Sequence, residues 1–337
     1  MTKLFVTILI VFSSAVFAQK VEKLFNEEKF KELTGLENES PSFTGEELYY
    51  LGFAFFREEN DDKAIEYYNK ALKKGFDNAL VYYHIGLSQM YQKKYDEALK
   101  NINTGLESDP LAEFYYEKLR IYSIREDSVN QEKTFLEALQ KSRQKDNWYV
   151  KIVLFAGSFY YTQKEYAKSE KIYKEALASL PKEYELYTKL IKSLNVQNKF
   201  SEADSYFEKM RTFYENKELP EDEMKFKNLN VDQFNWKNQV VNIHKYFEKP
   251  KEMLQPLYVL YLINEKGDKV ERKFKIEKTV QIEKTDPQFV ICEETKSGHS
   301  TYPIGFKDAS FTLEDLRKEI TDVLNNKYRV AASFEHN

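Results

Sequence analysis

Residues 45–78 read GEELYYLGFAFFREENDDKAIEYYNKALKKGFDN, and residues 79–112 read ALVYYHIGLSQMYQKKYDEALKNINTGLESDPLA. Laid one over the other without a gap, Gly52 falls on Gly86, Ala64 on Ala98, Leu48 on Tyr82 and Leu51 on Ile85, each pair 34 residues apart. Numbering the unit so that Gly52 is position 8 puts Ala64 at 20, Tyr68 at 24 and Ala71 at 27, with Leu48, Leu51 and Phe55 at 4, 7 and 11. Small residues at 8, 20 and 27 let two antiparallel helices approach closely, and the large residues fill the space between them. One such pair cannot bury its apolar face alone, so the units must stack.

The same register continues downstream. Residues 150–183 carry Val153, Ala156, Gly157, Tyr160, Tyr173, Ala176 and Pro181 in place, with Ser169 at position 20. Residues 184–217 carry Tyr187, Leu190, Ala203 and Phe207. Between them, 112–145 is a degenerate unit (Tyr115, Leu119, Tyr122, Phe135, Ala138), slipped by one residue and followed by a short insertion that contains Trp148. A period of 34 with Tyr95-Asp96-Glu97-Ala98-Leu99 opening a second helix resembles the tetratricopeptide repeat (TPR). The resemblance covers about half of the chain and implies an array of five repeats over 45–217.

In TPR arrays the first helix of each pair lines a concave groove, and by resemblance positions 2, 5, 9 and 12 face it. These are Glu46, Tyr49, Phe53 and Phe56 in the first repeat and Leu80, Tyr83, Leu87 and Met90 in the second. The fourth offers Lys151, Leu154, Ser158 and Tyr161, and the fifth Glu185, Thr188, Lys192 and Asn195. The aromatic content of this stripe marks Tyr49, Phe53, Phe56, Tyr83, Leu87, Met90 and Tyr161 as expected partner-binding residues. The TPR clamp for a chain-terminal carboxylate uses Lys and Asn at positions 5 and 9. Tyr49, Phe53, Tyr83 and Leu87 stand there instead, so the chain departs from that pattern.

Composition agrees with a packed, helix-rich chain. Of 337 residues 42% are hydrophobic, only 10 are Gly and 8 Pro, and 25 Tyr and 25 Phe supply unusually many aromatic side chains. The net charge is −4 with both signs interspersed and no basic run, which gives no support to a nucleic-acid partner. At the N-terminus, Lys3, the apolar run Leu4–Phe12 and Val16-Phe17-Ala18 have the layout of a signal peptide over 1–18, with cleavage after Ala18. No later segment is apolar enough to cross a bilayer, so export to the bacterial periplasm or beyond is expected, with no membrane span after cleavage. Residues 19–44 are expected to form a capping helix (Val21, Leu24, Phe25, Phe30, Leu33) and a loop around Ser40-Pro41-Ser42.

After Leu219-Pro220 the pattern changes. Leu257–Ile263 is apolar and β-rich, Asn264–Asp268 is a turn, and Val270–Ile276 alternates apolar with charged residues, as a half-buried strand does. Val280–Ile282 and Phe289–Ile291 are further strands, Thr312 with Asp315 caps a helix to about Asn326, and Tyr328–Phe334 is a last strand. The fold class is therefore mostly α: a TPR helical-repeat solenoid followed by a small antiparallel α+β domain over 218–337.

Chemistry-bearing motifs are lacking. The sequence holds no G-x-S-x-G, Walker loop, Rossmann fingerprint or H-E-x-x-H. His84, His244, His299 and His336 are dispersed, so neither a metal site nor a cofactor is expected. His84 reads as a satisfied structural histidine, Gly298-His299-Ser300-Thr301 as a polar turn, and the single Cys292 as a small buried hydrophobe on a strand. Glu293 and Glu294, adjacent in that strand, point to opposite faces. The expected function is a non-enzymatic adaptor or scaffold that holds a protein or peptide partner in the groove. The alternative is a C-terminal domain with ligand-binding or hydrolytic activity that the array only positions.

Overall fold

The computed structural model describes residues 20–142, 145–279, 288–296, 298–330 and 332–335. The expected signal segment, the strand expected at Val280–Ile282 and His336 all lie outside the described residues. The chain divides into two compact units between Phe155 and Ala156.

In the first unit a helical segment over 20–26 precedes α1 (Phe30–Thr34) and a 3-10 turn, Glu37–Ser42. The expected single helix and loop is thus corrected to three short helical pieces. Glu28, at a positive φ of 53°, breaks the first, and Ser42 Oγ donates to the Glu39 carbonyl at 2.7 Å within the last. Val21, Leu24, Phe30 and Leu33 are buried in one cluster with Leu48, Leu51 and Phe55, so this segment packs its apolar side against the helices that follow. There follow α2 (Gly45–Arg57), α3 (Asp61–Lys73), α4 (Ala79–Tyr91), α5 (Tyr95–Ser108), α6 (Ala112–Ile124) and α7 (Ser128–Lys141). Helix α8 (Asn147–Thr162) runs across the division. A capping box starts α2: the Glu47 amide donates to Thr44 Oγ1 at 3.2 Å, and the Thr44 amide donates to Glu47 Oε2 at 2.6 Å.

Each pair closes as the small-residue spacing requires. A Cβ on Gly52 would stand 2.8 Å from the Tyr68 ring and 3.2 Å from the Ala64 carbonyl. One on Gly86 would stand 2.7 Å from Ile102 and 3.2 Å from the Ala98 carbonyl. Position 8 thus touches positions 20 and 24 in both repeats. The turn between paired helices holds a residue in the left-handed region: Glu59 (φ 59°), Lys93 (61°), Glu126 (55°), Lys164 (62°) and Asn198 (59°). All five sit at position 15 of units starting at 45, 79, 112, 150 and 184. The first helices α2, α4 and α6 also lie side by side.

The second unit holds α9 (Tyr166–Ser179), α10 (Tyr184–Asn195), α11 (Phe200–Glu215), α12 (Glu221–Met224) and an antiparallel sheet whose strands are neighbours in chain order. These are β1 (Asn228–Trp236), β2 (Gln239–Tyr246), β3 (Pro256–Asn264), β4 (Val270–Lys278), β5 (Phe289–Thr295), β6 (Gly298–Phe306) and β7 (Ala332–Glu335), with α13 (Leu313–Leu324) between the last two. Ile243, Leu260 and Phe274 lie opposite one another across β2, β3 and β4 and are fully buried. The sheet is not separate from the last repeat. Asn195 Nδ2 donates to the Val231 carbonyl at 2.8 Å, Arg211 Nε donates to the Phe247 carbonyl at 2.6 Å, and the Phe207 and Phe247 rings stack at 5.6 Å. Gly298–Thr301, expected as a turn, instead opens β6, and the last strand starts at Ala332 rather than Tyr328.

Candidate functional site

In the first unit the side-by-side packing of α2 and α4 builds an aromatic box around His84. The rings of Tyr49, Phe53, Tyr68 and Tyr83 lie 5.6, 5.2, 5.7 and 5.2 Å from the imidazole, and Phe56 lies at 6.0 Å. His84 Nδ1 is 2.8 Å from the Leu80 carbonyl oxygen, which places the ring hydrogen on Nδ1. Burial pushes the imidazole down to about 4, so it is neutral at pH 7. His84 is the satisfied structural histidine that the sequence suggests.

The outward-facing stripe expected from the repeat positions is largely covered. Tyr49, Tyr83, Leu87 and Met90 are buried in the helix-packing clusters. Tyr83 stacks on Phe114 of the next repeat at 4.8 Å. Phe53 is half-buried against Phe25 and Phe30 of the N-terminal segment, at 5.4 and 5.7 Å. The cause is size. Aromatic residues on neighbouring first helices reach each other across the groove face and bury one another. Phe56 stays half-buried, and so does Tyr161, which in the second unit packs edge-on to Tyr166 at 5.2 Å.

What remains open lies at the α2–α3 turn. A cavity of about 550 Å³ is lined by Phe56, Arg57, Glu59, Asp61 and Tyr91. The Phe56 and Tyr91 rings are 5.8 Å apart and tilted by 40°. Tyr91 is 57% exposed. Burial, with Asp62 and Glu59 nearby, raises the Asp61 carboxyl above its usual range. Ser88 Oγ is fully buried without a formed hydrogen bond, and lies close enough to Asp61 to offset part of that effect. Sequence reasoning missed Asp61 and Tyr91 because they fall outside the groove positions. The signal was there in Glu58-Glu59-Asn60-Asp61-Asp62, four acids and an amide beside two aromatics.

A second polar patch spans the third repeat and the start of α8. Glu117 is buried and accepts from Arg120 Nη1 at 2.7 Å, while Lys151 Nζ sits 3.9 Å from the Trp148 ring centroid. Burial raises the Glu117 carboxyl, with the Arg120 guanidinium opposing it.

In the second unit a cavity of about 300 Å³ lies between the last helix pair and the first strands, with Tyr184, Phe226, Asn228, Asn230 and His244 among its lining. His244 Nδ1 is 3.1 Å from Asn228 Oδ1, and burial first, then Lys192, pushes the ring down to about 4. Cys292 is buried on β5 with its Sγ 3.6 Å from Thr301 Oγ1. Glu293 accepts from Arg272 and Tyr302, while Glu294 pairs with Lys273 and Lys275, so the two adjacent acids serve different partners. Among the described residues no cluster of His, Cys, Asp and Glu is arranged to hold a metal, and no helix is long and apolar enough to cross a membrane.

Two family models for the tetratricopeptide repeat match the chain, one over residues 45–78 and the other over 79–110. The chain therefore carries TPR repeats. Solved structures with similar folds include the C-terminal part of a TPR repeat-containing protein from Cytophaga hutchinsonii, at 14% identity and TM-score 0.47, covering 58% of this chain and 82% of that one. A tetratricopeptide repeat protein from Parabacteroides merdae matches at 18% identity and TM-score 0.41, covering 59% and 79%. PilF of Pseudomonas aeruginosa matches at 18% identity and TM-score 0.44, covering 61% and 93%. Likeness at this level carries no partner or process with it. No curated protein matches the chain.

Proposed function

We propose that this protein is a non-enzymatic adaptor of the cell envelope that holds a protein partner on the first-helix face of its repeats. The observation that carries the reading is the run of two TPR matches over 45–110, on which Phe53 and Phe56 remain partly accessible beside the exposed Tyr91. Tyr49, Tyr83, Leu87 and Met90 serve this face from beneath, by fixing the helices that present it. Tyr161 offers a further accessible ring on the second unit. The envelope location rests on the layout of residues 1–18 and is checked by mass spectrometry of the mature chain, which should begin at or near Gln19. For the partner, a photo-crosslinking residue placed at Tyr91 of the full chain, in cells, should trap one discrete protein. The same residue at Val129, exposed on α7, should not. Identical adducts from both positions, or none from Tyr91, would refute the adaptor reading.

A second reading has one observation in its favour. The cavity beside His244 in the second unit combines apolar walls with two asparagines and a neutral imidazole, as a small-molecule site would. It is an alternative in which the repeats position a ligand-binding sheet.

A further inference from the structure

We propose that the cavity between Phe56 and Tyr91 receives a Lys or Arg side chain of the partner protein, an inference that rests on the adaptor reading above. Its shape and charge both select such a group. Two rings 5.8 Å apart and tilted by 40° line the wall, and a cation seated over a ring is attracted by its quadrupole, more strongly once water is excluded. Asp61 and Glu59 line the same space. Its one cationic lining residue, Arg57, is drawn elsewhere, with its guanidinium carbon 4.7 Å from the Phe30 ring centroid. Among the described residues no Lys or Arg pairs with Asp61 or Glu59, while neighbouring Asp62 accepts a neutral hydrogen bond from Gln92 at 2.9 Å. With two carboxylates against the one guanidinium of Arg57, the lining carries net negative charge.

The alternatives fit less well. An acidic side chain would be repelled by the two carboxylates of the lining. An apolar side chain would fill the space but take Asp61 further from water with only the Ser88 hydroxyl beside it, which is costly. A basic side chain satisfies the carboxylate and stacks its aliphatic stem on the rings at once. At about 550 Å³ the space is ample for either a Lys or an Arg head group.

The test is an NMR titration of the full chain carrying isotope-labelled Tyr and Phe rings. The probes are N-acetyl-lysine amide, N-acetyl-arginine amide, N-acetyl-norleucine amide and N-acetyl-glutamate amide. The Tyr91 ring signals should shift saturably with the two basic probes and not with the other two. Asp61→Asn and Tyr91→Ala should each weaken binding of the basic probes at least about fivefold, with an unchanged melting temperature. Tyr91 is largely exposed, so its truncation leaves the fold intact. Saturation by norleucine to the same degree, or none by either basic probe, overturns the proposal. If the basic probes fail while crosslinking at Tyr91 still traps a protein, the pocket assignment falls and the adaptor reading stands. If they bind but crosslinking finds no protein, the partner-borne source of the cation is refuted.

Discussion

Arg317 on α13 donates from Nε to Asp232 Oδ2 at 2.5 Å, and its terminal Nη2 donates to Oδ1 of the same carboxylate. Asp232 is 2% exposed and sits where β1 shifts register against β2, between Asn230 and Asp232. A helix late in the chain is thereby fastened to the first strand of the sheet, 85 residues earlier. The bidentate geometry supplies direction as well as attraction, since the guanidinium fork matches the carboxylate edge.

Breaking one side of this pair should be worse than replacing both. Asp232→Asn or Arg317→Met leaves a desolvated partner behind and should cost about 3 kcal/mol. Asp232→Leu combined with Arg317→Met should cost clearly less than the sum of Asp232→Leu and Arg317→Met alone. Urea denaturation of these variants measures the coupling, and simple additivity would show that the pair does not act as a unit.

His84 should make the first unit acid-sensitive. Its folded pKa of about 4 lies below the ordinary imidazole value of 6.5, because burial disfavours the charged ring. Between those values the unfolded chain binds the proton and the folded chain does not, so stability falls as pH drops through that window and levels off below it. The full effect of this one group is about 3 kcal/mol. His84→Gln should flatten that part of the pH–stability curve relative to the parent chain. Parallel curves would mean that the imidazole is not held neutral.

The left-handed turns predict a gain as well as losses. Lys93 sits at φ 61° with a Cβ that this conformation penalises. Lys93→Gly removes that penalty against the larger entropy of glycine in the unfolded chain, for a net stabilisation of about 0.5 kcal/mol. Lys93→Ile, branched at Cβ, should lose about 1 kcal/mol at the same position. Thermal unfolding of both variants tests it, and matching shifts in the same direction would rule out strain at this turn.

The repeats were legible because their packing is local and periodic. Gly52 meets Tyr68 and Gly86 meets Ile102 at the same spacing that the sequence displays, so the pattern encodes the contact itself. The open site was not legible, because periodicity names the face of a helix and not what covers it. Phe53 holds a groove position by the repeat pattern, yet it packs on Phe25 and Phe30, which come from a segment with no repeat register to place it. Strands β3, β4 and β5 announced themselves through apolar runs and alternation. β1 did not, because Asn228, Asn230 and Asn235 weaken its β character and a register shift interrupts its alternation. β6 begins Gly-His-Ser-Thr, turn-prone residues that owe their extended backbone to pairing with Glu293, Glu294 and Thr295 on β5.

Cys292 should be chemically silent while the chain is folded. The thiol is pushed up to about 11, first by burial, with Glu277 reinforcing it and Thr301 and Lys275 opposing it. At pH 8 the nucleophilic thiolate is therefore rare, and the side chain is also only 4% exposed. A disulfide-exchange reagent should label the native protein at a small fraction of the rate seen in denaturant. Cys292→Ala removes the sulfur from a buried strand position and should cost about 1–2 kcal/mol. Cys292→Ser should cost a similar amount, because its hydroxyl can exchange a hydrogen bond with Thr301 Oγ1, now 3.6 Å from the sulfur, only after a small local shift. Both variants should retain crosslinking at Tyr91. Fast labelling of the native chain, or loss of crosslinking in a variant with normal stability, would give this thiol a role that its surroundings on β5 do not support.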